Sequence, residues 1–203
     1  MLTTVDTTSK TRKADYRALS AELGYRLGEL QREAFALNIP IVILFEGWGA
    51  SGKGSQINRL LLSLDPRSVK VHSIESPTEE ERMKPYLWRF WTKTPPRGRI
   101  GILGRSWYGR FLVEGMDEAI TSLDEVPNRY YEEINAFERQ LVDDGVLLIK
   151  FFLHMTSEKQ EERFKDLEKN PATSWRVTPR DWKKHNEYER YFKLTERMLE
   201  KTS

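Results

Sequence analysis

Seven residues, Gly47-Trp48-Gly49-Ala50-Ser51-Gly52-Lys53, have the spacing G-x-x-x-x-G-K. Glycines let successive backbone N–H groups turn toward one anion, and a helix opening at the lysine adds partial positive charge. The lysine then brings a cation to terminal phosphates. This is the pattern of a P-loop, or Walker A loop, and it calls for a strand before it and a helix after it. The candidate phosphate-binding set is Gly47, Gly49, Ala50, Ser51, Gly52, Lys53, Gly54 and Ser55. Gly54 stands where the magnesium-binding Ser or Thr of such loops usually sits, and Ser55 comes one position late.

Phosphoryl transfer asks a protein mainly for in-line positioning and for cations around the equatorial oxygens. Cations are concentrated from Arg82 to Arg110, where eight basic residues occur without one acid. Arg82 and Arg89, seven apart in one predicted helix, are candidate phosphate ligands. Arg105 and Arg110 follow a predicted strand, at the end of the sheet where open α/β proteins bind ligands. With Lys53 they are the candidate catalytic cations. Arg163, Arg176 and Arg180 sit in a later basic-rich region. From Glu114 to Asp144 the sign reverses, with ten acids against Arg129 and Arg139. The formal net charge of +2 therefore hides a segregated distribution, and a local cationic surface concentrates anions whatever the total.

Aromatic residues interleave with these cations. Trp88, Phe90, Trp91, Trp107 and Tyr108 read as core packing, whereas Trp48 inside the loop is a candidate cover for a bound phosphate or base. His72, His154 and His185 have no metal-ligand spacing. The chain of 203 residues has no cysteine, which removes disulfides and thiolate chemistry and agrees with a reducing cytoplasm. Mean hydropathy is −0.65. No apolar stretch approaches the ~20 residues of a membrane helix, and MLTTVDTTSK does not read as a secretory signal.

Elements that could hold these residues follow from periodicity. Residues 1–12 read as a disordered leader. Apolar residues at Tyr16, Leu19, Leu23, Leu27, Leu30, Ala34 and Leu37 predict an amphipathic helix over Lys13–Asn38. Strands are predicted at 41–45, 69–74, 100–103 and 146–153. Helices are predicted at 56–64, from Thr78 to Trp91, at 128–144, from a Ser157 cap to 169, and from Thr178 to about 200. Alternating strands and helices indicate an α/β fold with a mostly parallel sheet. One phosphate-binding domain over 13–203 is expected, with the polar, Pro171-broken segment at about 159–184 as its lid.

The motifs together resemble the family-2 polyphosphate kinases. Those that carry the resemblance are Phe45-Glu46-Gly47 through Gly54, Pro77 to Arg82, Arg105-Ser106-Trp107-Tyr108-Gly109-Arg110, Phe137 to Leu141, Gln160 to Phe164 and Trp175 to Asp181. They occur in the family's order over roughly residues 25–203. The loop with Trp48 and the Trp-Arg-Val-Thr-Pro segment look most like one half of a tandem-domain polyphosphate:AMP phosphotransferase. The resemblance implies a P-loop kinase-like three-layer sandwich with a helical lid. It implies transfer of a terminal phosphoryl group between inorganic polyphosphate and AMP or ADP, or their guanine counterparts, with Mg2+, in a homo-oligomer. Two positions depart from the family pattern: Gly49 and Gly104 stand where the family has aspartates. The remaining carboxylates near the site are Glu46 and Glu114, the candidate metal ligands, with magnesium otherwise arriving on the phosphates. Two alternatives stay open: a half-domain that binds polyphosphate or nucleotide with impaired catalysis, and an ATP-dependent nucleoside monophosphate kinase.

Overall fold

The computed structural model describes residues 1–114, of which 113 and 114 by backbone alone, and 127–202. Its centre is a parallel sheet of β1 (Ile41–Gly47), β2 (Val69–Ser73), β3 (Ile100–Gly104) and β4 (Leu147–Leu153), in the order β2-β3-β1-β4. β1 lies between β3 and β4, with Ile43 opposite both Ile102 and Ile149. All seven residues of β1 are buried, which is why it reads as an unbroken apolar run.

Side chains alternate across this strand, so each face recruits its own layer. Ile41, Ile43 and Phe45 pack with Leu27 and Ala34 of α1 (Lys13–Ala36) and with Ile57 of α2 (Lys53–Leu61). Val42 and Leu44 pack with Ile134, Phe137 and Leu141 of α5 (Asn128–Asp143) and with Leu194 and Met198 of α8 (Tyr188–Thr202). The result is the three-layer α/β/α sandwich. Two short helices, α3 (Glu79–Arg82) and α4 (Trp88–Trp91), join β2 to β3, while α6 (Ser157–Lys169) and α7 (Pro179–Asn186) precede α8.

Several expectations need correction. The helix expected from Thr78 to Trp91 is two helices. Its capping box is present, with the Glu81 N–H donating to Thr78 Oγ1 at 3.2 Å and the Thr78 N–H to Glu81 at 3.1 Å. Pro85 then interrupts it, having no N–H to continue the ladder. Arg82 and Arg89 are therefore not two turns of one helix. The last predicted helix also divides, at Glu187, between α7 and α8. Thr156 rather than Ser157 caps α6. On α1 only Leu27 and Ala34 of the predicted stripe join the core, while Tyr16, Leu19, Leu23, Leu30 and Leu37 stay exposed. Within the expected leader, Leu2–Thr4 forms a 3-10 turn whose Leu2 is buried beside Trp48, Met155 and Tyr188. Composition alone does not register a single leucine finding an apolar pocket.

Candidate active site

The loop from Gly47 to Lys53 joins β1 to α2, the context its spacing requires. Gly47 (φ 132°) and Gly52 (φ 94°) hold conformations that disfavour a side chain, and a Cβ at Gly47 would lie 2.3 Å from the Leu153 carbonyl oxygen. Loop carbonyls are drawn outward by donors from three places. Lys53 Nζ donates to the Gly47 and Trp48 carbonyls at 2.7 and 2.8 Å, Gln160 Nε2 to Gly49 at 3.1 Å, and Arg163 Nη1 to Ala50 at 3.0 Å. With the carbonyls occupied, and with the first N–H groups of α2 lacking intrahelical acceptors, the loop presents donors to an incoming anion. Ser51 adds a buried hydroxyl without a hydrogen-bond partner among the described residues.

Lys53 is half-buried. Burial pushes its ammonium pKa down to about 8, against the pull of the Glu46 carboxylate and with a further push from Arg105. Glu46 is buried, and its Oε1 accepts from the Ser106 N–H at 2.6 Å and the Ser106 hydroxyl at 2.8 Å. Burial raises its carboxyl above the usual range, although Ser106 and the Lys53 charge oppose this. Glu46 is thus committed to joining two turns, one after β1 and one after β3. Tyr191 of α8 borders the same cleft as this acid, and the pKa of its hydroxyl is pushed upward by burial and by the Glu46 charge.

A cleft of about 650 Å3 opens above this loop. It receives Lys53, Arg82, Arg89, Arg105 and Arg110, joined by Arg180 and Lys184 of α7. The separation of α3 from α4 does not remove Arg82 and Arg89 from the site, because both short helices border it. Arg89 is buried, donates to the Glu75 carbonyl at 2.8 Å and keeps a buried Nε without an acceptor among the described residues. Arg110 is less available than its position suggested. It pairs with Glu133 of α5 and lies 3.6 Å from the Tyr130 ring centroid and 4.8 Å from that of Tyr86. Arg163 is spent on the loop carbonyl, and Arg176 stacks at 5.3 Å over Trp175, outside the residues that line the cleft. Trp48 does not cover the anion position as a lid. It is buried, stacks on Tyr188 with centroids 4.5 Å apart, and donates its indole N–H to His154 Nδ1 at 2.8 Å.

Sequence reasoning did not name Gln160, Lys184 or Tyr191 as site residues. Gln160 falls within a family motif and Lys184 at the edge of the expected lid, but Tyr191 lies on a distant helix and no local spacing marks it. The side chain of Glu114 lies outside the described residues. Among the described residues no group of three His, Cys, Asp or Glu could hold a metal ion.

Arg105 has φ 88°, a conformation unfavourable for a residue with a Cβ by roughly 1–2 kcal/mol. Its N–H is held by the Phe45 carbonyl at 3.1 Å, and this turn aims the Ser106 N–H at Glu46. Such strain is retained where geometry matters more than stability. Arg105→Gly should therefore leave the urea unfolding free energy within about 1 kcal/mol of the parent, while transfer activity falls about 100-fold. Equal loss of stability and activity would show that Arg105 is a folding residue only.

Comparison with known proteins is consistent with this geometry. The family described as polyphosphate kinase 2 (PPK2) matches residues 10–203. A polyphosphate:AMP phosphotransferase of Pseudomonas aeruginosa is 40% identical over 191 residues, spanning 94% of this chain and 38% of the relative. NDP-polyphosphate phosphotransferase 3 of Ruegeria pomeroyi is 35% identical over 181 residues, spanning 87% of this chain and 58% of the relative. The crystal structure of polyphosphate kinase 2 from Arthrobacter aurescens TC1 superposes with a TM-score of 0.89 at 28% identity, over 100% of this chain and 75% of that one. This chain thus spans less than two thirds of the length of either relative.

Proposed function

The chain belongs to the polyphosphate kinase 2 family, and from that premise we propose that it is a polyphosphate-dependent nucleotide phosphotransferase. It moves a terminal phosphoryl group between inorganic polyphosphate and AMP or ADP, or their guanine counterparts. The observation that carries this reading is the single cleft in which the loop, Lys53, Arg82, Arg89, Arg105 and Arg180 converge. In the proposed roles, loop N–H groups and Lys53 cradle the phosphates, and Arg105 compensates charge on the transferred group. Arg82 and Arg89 hold the flanking phosphates, and Arg110 with Tyr86 and Tyr130 forms one wall. Residues 159–184 act as the lid, bringing Arg180 and Lys184 over the ligand while Gln160 and Arg163 brace the loop. The proposal includes a cytoplasmic, homo-oligomeric enzyme, as the resemblance implies. Among the described residues no helix is long and apolar enough to cross a membrane.

Magnesium, also implied by the resemblance, does not fit a site built by the described side chains. The buried acid beside the loop, Glu46, already accepts two hydrogen bonds from Ser106. We assign any magnesium here to phosphate oxygens and water. This observation also supports a second reading, a domain that binds polyphosphate or nucleotide with little catalysis of its own.

One assay separates the two: polyphosphate, magnesium and AMP, ADP, GMP or GDP, with product nucleotide followed in the parent and in Gly49→Asp/Gly104→Asp. A Cβ at Gly49 would lie 3.3 Å from Phe164 Cζ, and one at Gly104 3.1 Å from Ile57 Cδ1. Both neighbours are side-chain ends that must shift, so the double variant should melt a few degrees lower. It should also transfer at least about tenfold faster, because two hard oxygen ligands are restored. A parent that itself forms product, which the variant then accelerates, establishes the first reading. An inactive parent that the variant rescues establishes the second.

A further inference from the structure

Outside the cleft, a second concavity of about 370 Å3 runs along β2, an edge strand of the sheet. Arg67 to Lys70 and His72 form one wall, and Thr92 to Pro96 with Arg99 form the other. Five basic side chains line it (Arg67, Lys70, His72, Lys93 and Arg99) and no acid does. Lys70 and His72 are two apart on the strand and share a face. The charges of Lys70 and Lys93 both act on His72, so cations from the two walls converge there.

Some of these cations are already engaged. Arg67 is chelated by Asp65, with Nη2 2.6 Å from Oδ2. Arg99 donates to the Arg67 carbonyl at 3.0 Å and lies 5.2 Å from the centroid of the Phe35 ring. Lys93 is 3.4 Å from Glu81 Oε1. The side chains of Lys70 and His72 make no hydrogen bond or ion pair among the described residues.

The groove and the cleft share no lining residue and are joined by one contact node. Glu81 lies 3.4 Å from both Arg89 Nη2 and Lys93 Nζ, and Lys93 Nζ donates to the Arg89 carbonyl at 2.8 Å. Arg89 and Glu81 border the cleft, while Lys93 borders the groove. The two linings therefore meet at cations held on either side of one acid, Glu81. An anion that fills only the cleft does not need this extension, whereas a linear polyanion longer than the cleft does.

We propose that the β2 groove is a second anion subsite, which holds the trailing phosphates of a long polyphosphate chain whose terminal unit lies in the cleft. The inference rests on the polyphosphate reading above and adds chain-length selectivity to it. Lys70 and His72 contribute the uncommitted contacts, and Lys93 links them to Arg89.

The test compares binding of tripolyphosphate, long-chain polyphosphate and single-stranded RNA to the full chain and to Lys70→Glu/His72→Glu. The parent should bind the long chain more tightly than tripolyphosphate. The double variant should weaken long-chain binding at least about tenfold and make its salt dependence shallower by roughly one to two phosphate contacts. Its tripolyphosphate affinity should stay within about twofold. Lys70→Ala, on an exposed residue, should shift the same way by a smaller factor and guards against misfolding of the double variant. Unchanged long-chain binding, or equal weakening for both lengths, overturns the subsite. RNA bound as tightly as long polyphosphate and lost with the same substitutions makes the groove a nucleic-acid surface and also overturns it. A parent that binds no polyphosphate of either length refutes the polyphosphate reading itself.

Discussion

Lys53→Met should lower phosphoryl transfer by about 100- to 1000-fold, the range for removing one preorganised charge from a phosphate site, without lowering the melting temperature at pH 7. The two halves of this result have one cause. Lys53 is held in a half-buried place where burial outweighs the Glu46 charge, so its pKa is about 8 rather than the ordinary 10.5. A depressed ammonium pKa means that the folded state holds the proton less tightly than the unfolded state does. Below about pH 8 both states are protonated, and the fold carries the cost of the buried charge in full. Between about pH 8 and 10.5 the unfolded chain retains the proton while the folded chain releases it, so this group makes stability rise with pH. Stability curves of the parent and of Lys53→Met should therefore converge across that window. Anion affinity runs the other way. A bound phosphate favours the ammonium, so affinity should fall as pH rises past about 8, and binding near that pH should take up a proton. Calorimetry in buffers of different ionisation enthalpy measures this uptake. A variant that transfers at the parental rate would remove Lys53 from the mechanism.

Glu138→Ala should produce the largest loss of stability. Glu138, on α5, is buried, and its Oε1 accepts from the Trp107 indole at 2.9 Å and the Tyr108 hydroxyl at 2.5 Å. Its Oε2 lies 2.9 Å from Lys150 Nζ of β4, which also donates to Tyr108 Oη at 3.1 Å and to the Thr202 carbonyl at 2.7 Å. Trp107 and Tyr108 directly follow the strained Arg105 turn. One carboxylate therefore ties that turn to α5, to β4 and, through Lys150, to the end of α8. Removing it leaves two buried donors and an ammonium without their acceptor, at a cost of about 3 kcal/mol. Urea denaturation should show the midpoint falling at constant slope. Activity should fall as well, because Arg105 and Ser106 lose the support of the next two residues. Glu138→Gln, which keeps an acceptor oxygen but not the charge, should recover part of both losses. An Ala variant with the parental midpoint would show that this network contributes nothing to the fold.

The phosphate loop was legible from the chain because its information is local. Gly47, Gly52 and Lys53 act through backbone angles and a reach of a few residues, so spacing alone specifies them. β1 was equally legible, since burial on both faces imposes an unbroken apolar run from Ile41 to Phe45. The β-α alternation followed from the same patterns, and the motifs of the family resemblance placed the arginines of the site. Charge counting along Arg82 to Arg110 located the cationic lining even though the net charge of the chain is only +2.

What the chain could not announce depends on contacts between distant segments. Only the fold decides that Arg110 is taken by Glu133 and Tyr130, that Arg176 remains outside the cleft, and that Arg163 serves a loop carbonyl. Trp48 looked outward from its motif, yet an apolar pocket formed by Leu2, Tyr188 and Met155 buries it. A motif records what the backbone must do within a few residues. Which cations remain available to a ligand is fixed by which acids, rings and carbonyls the tertiary structure brings within about 3 to 4 Å of them, the range over which hydrogen bonds and ion pairs act.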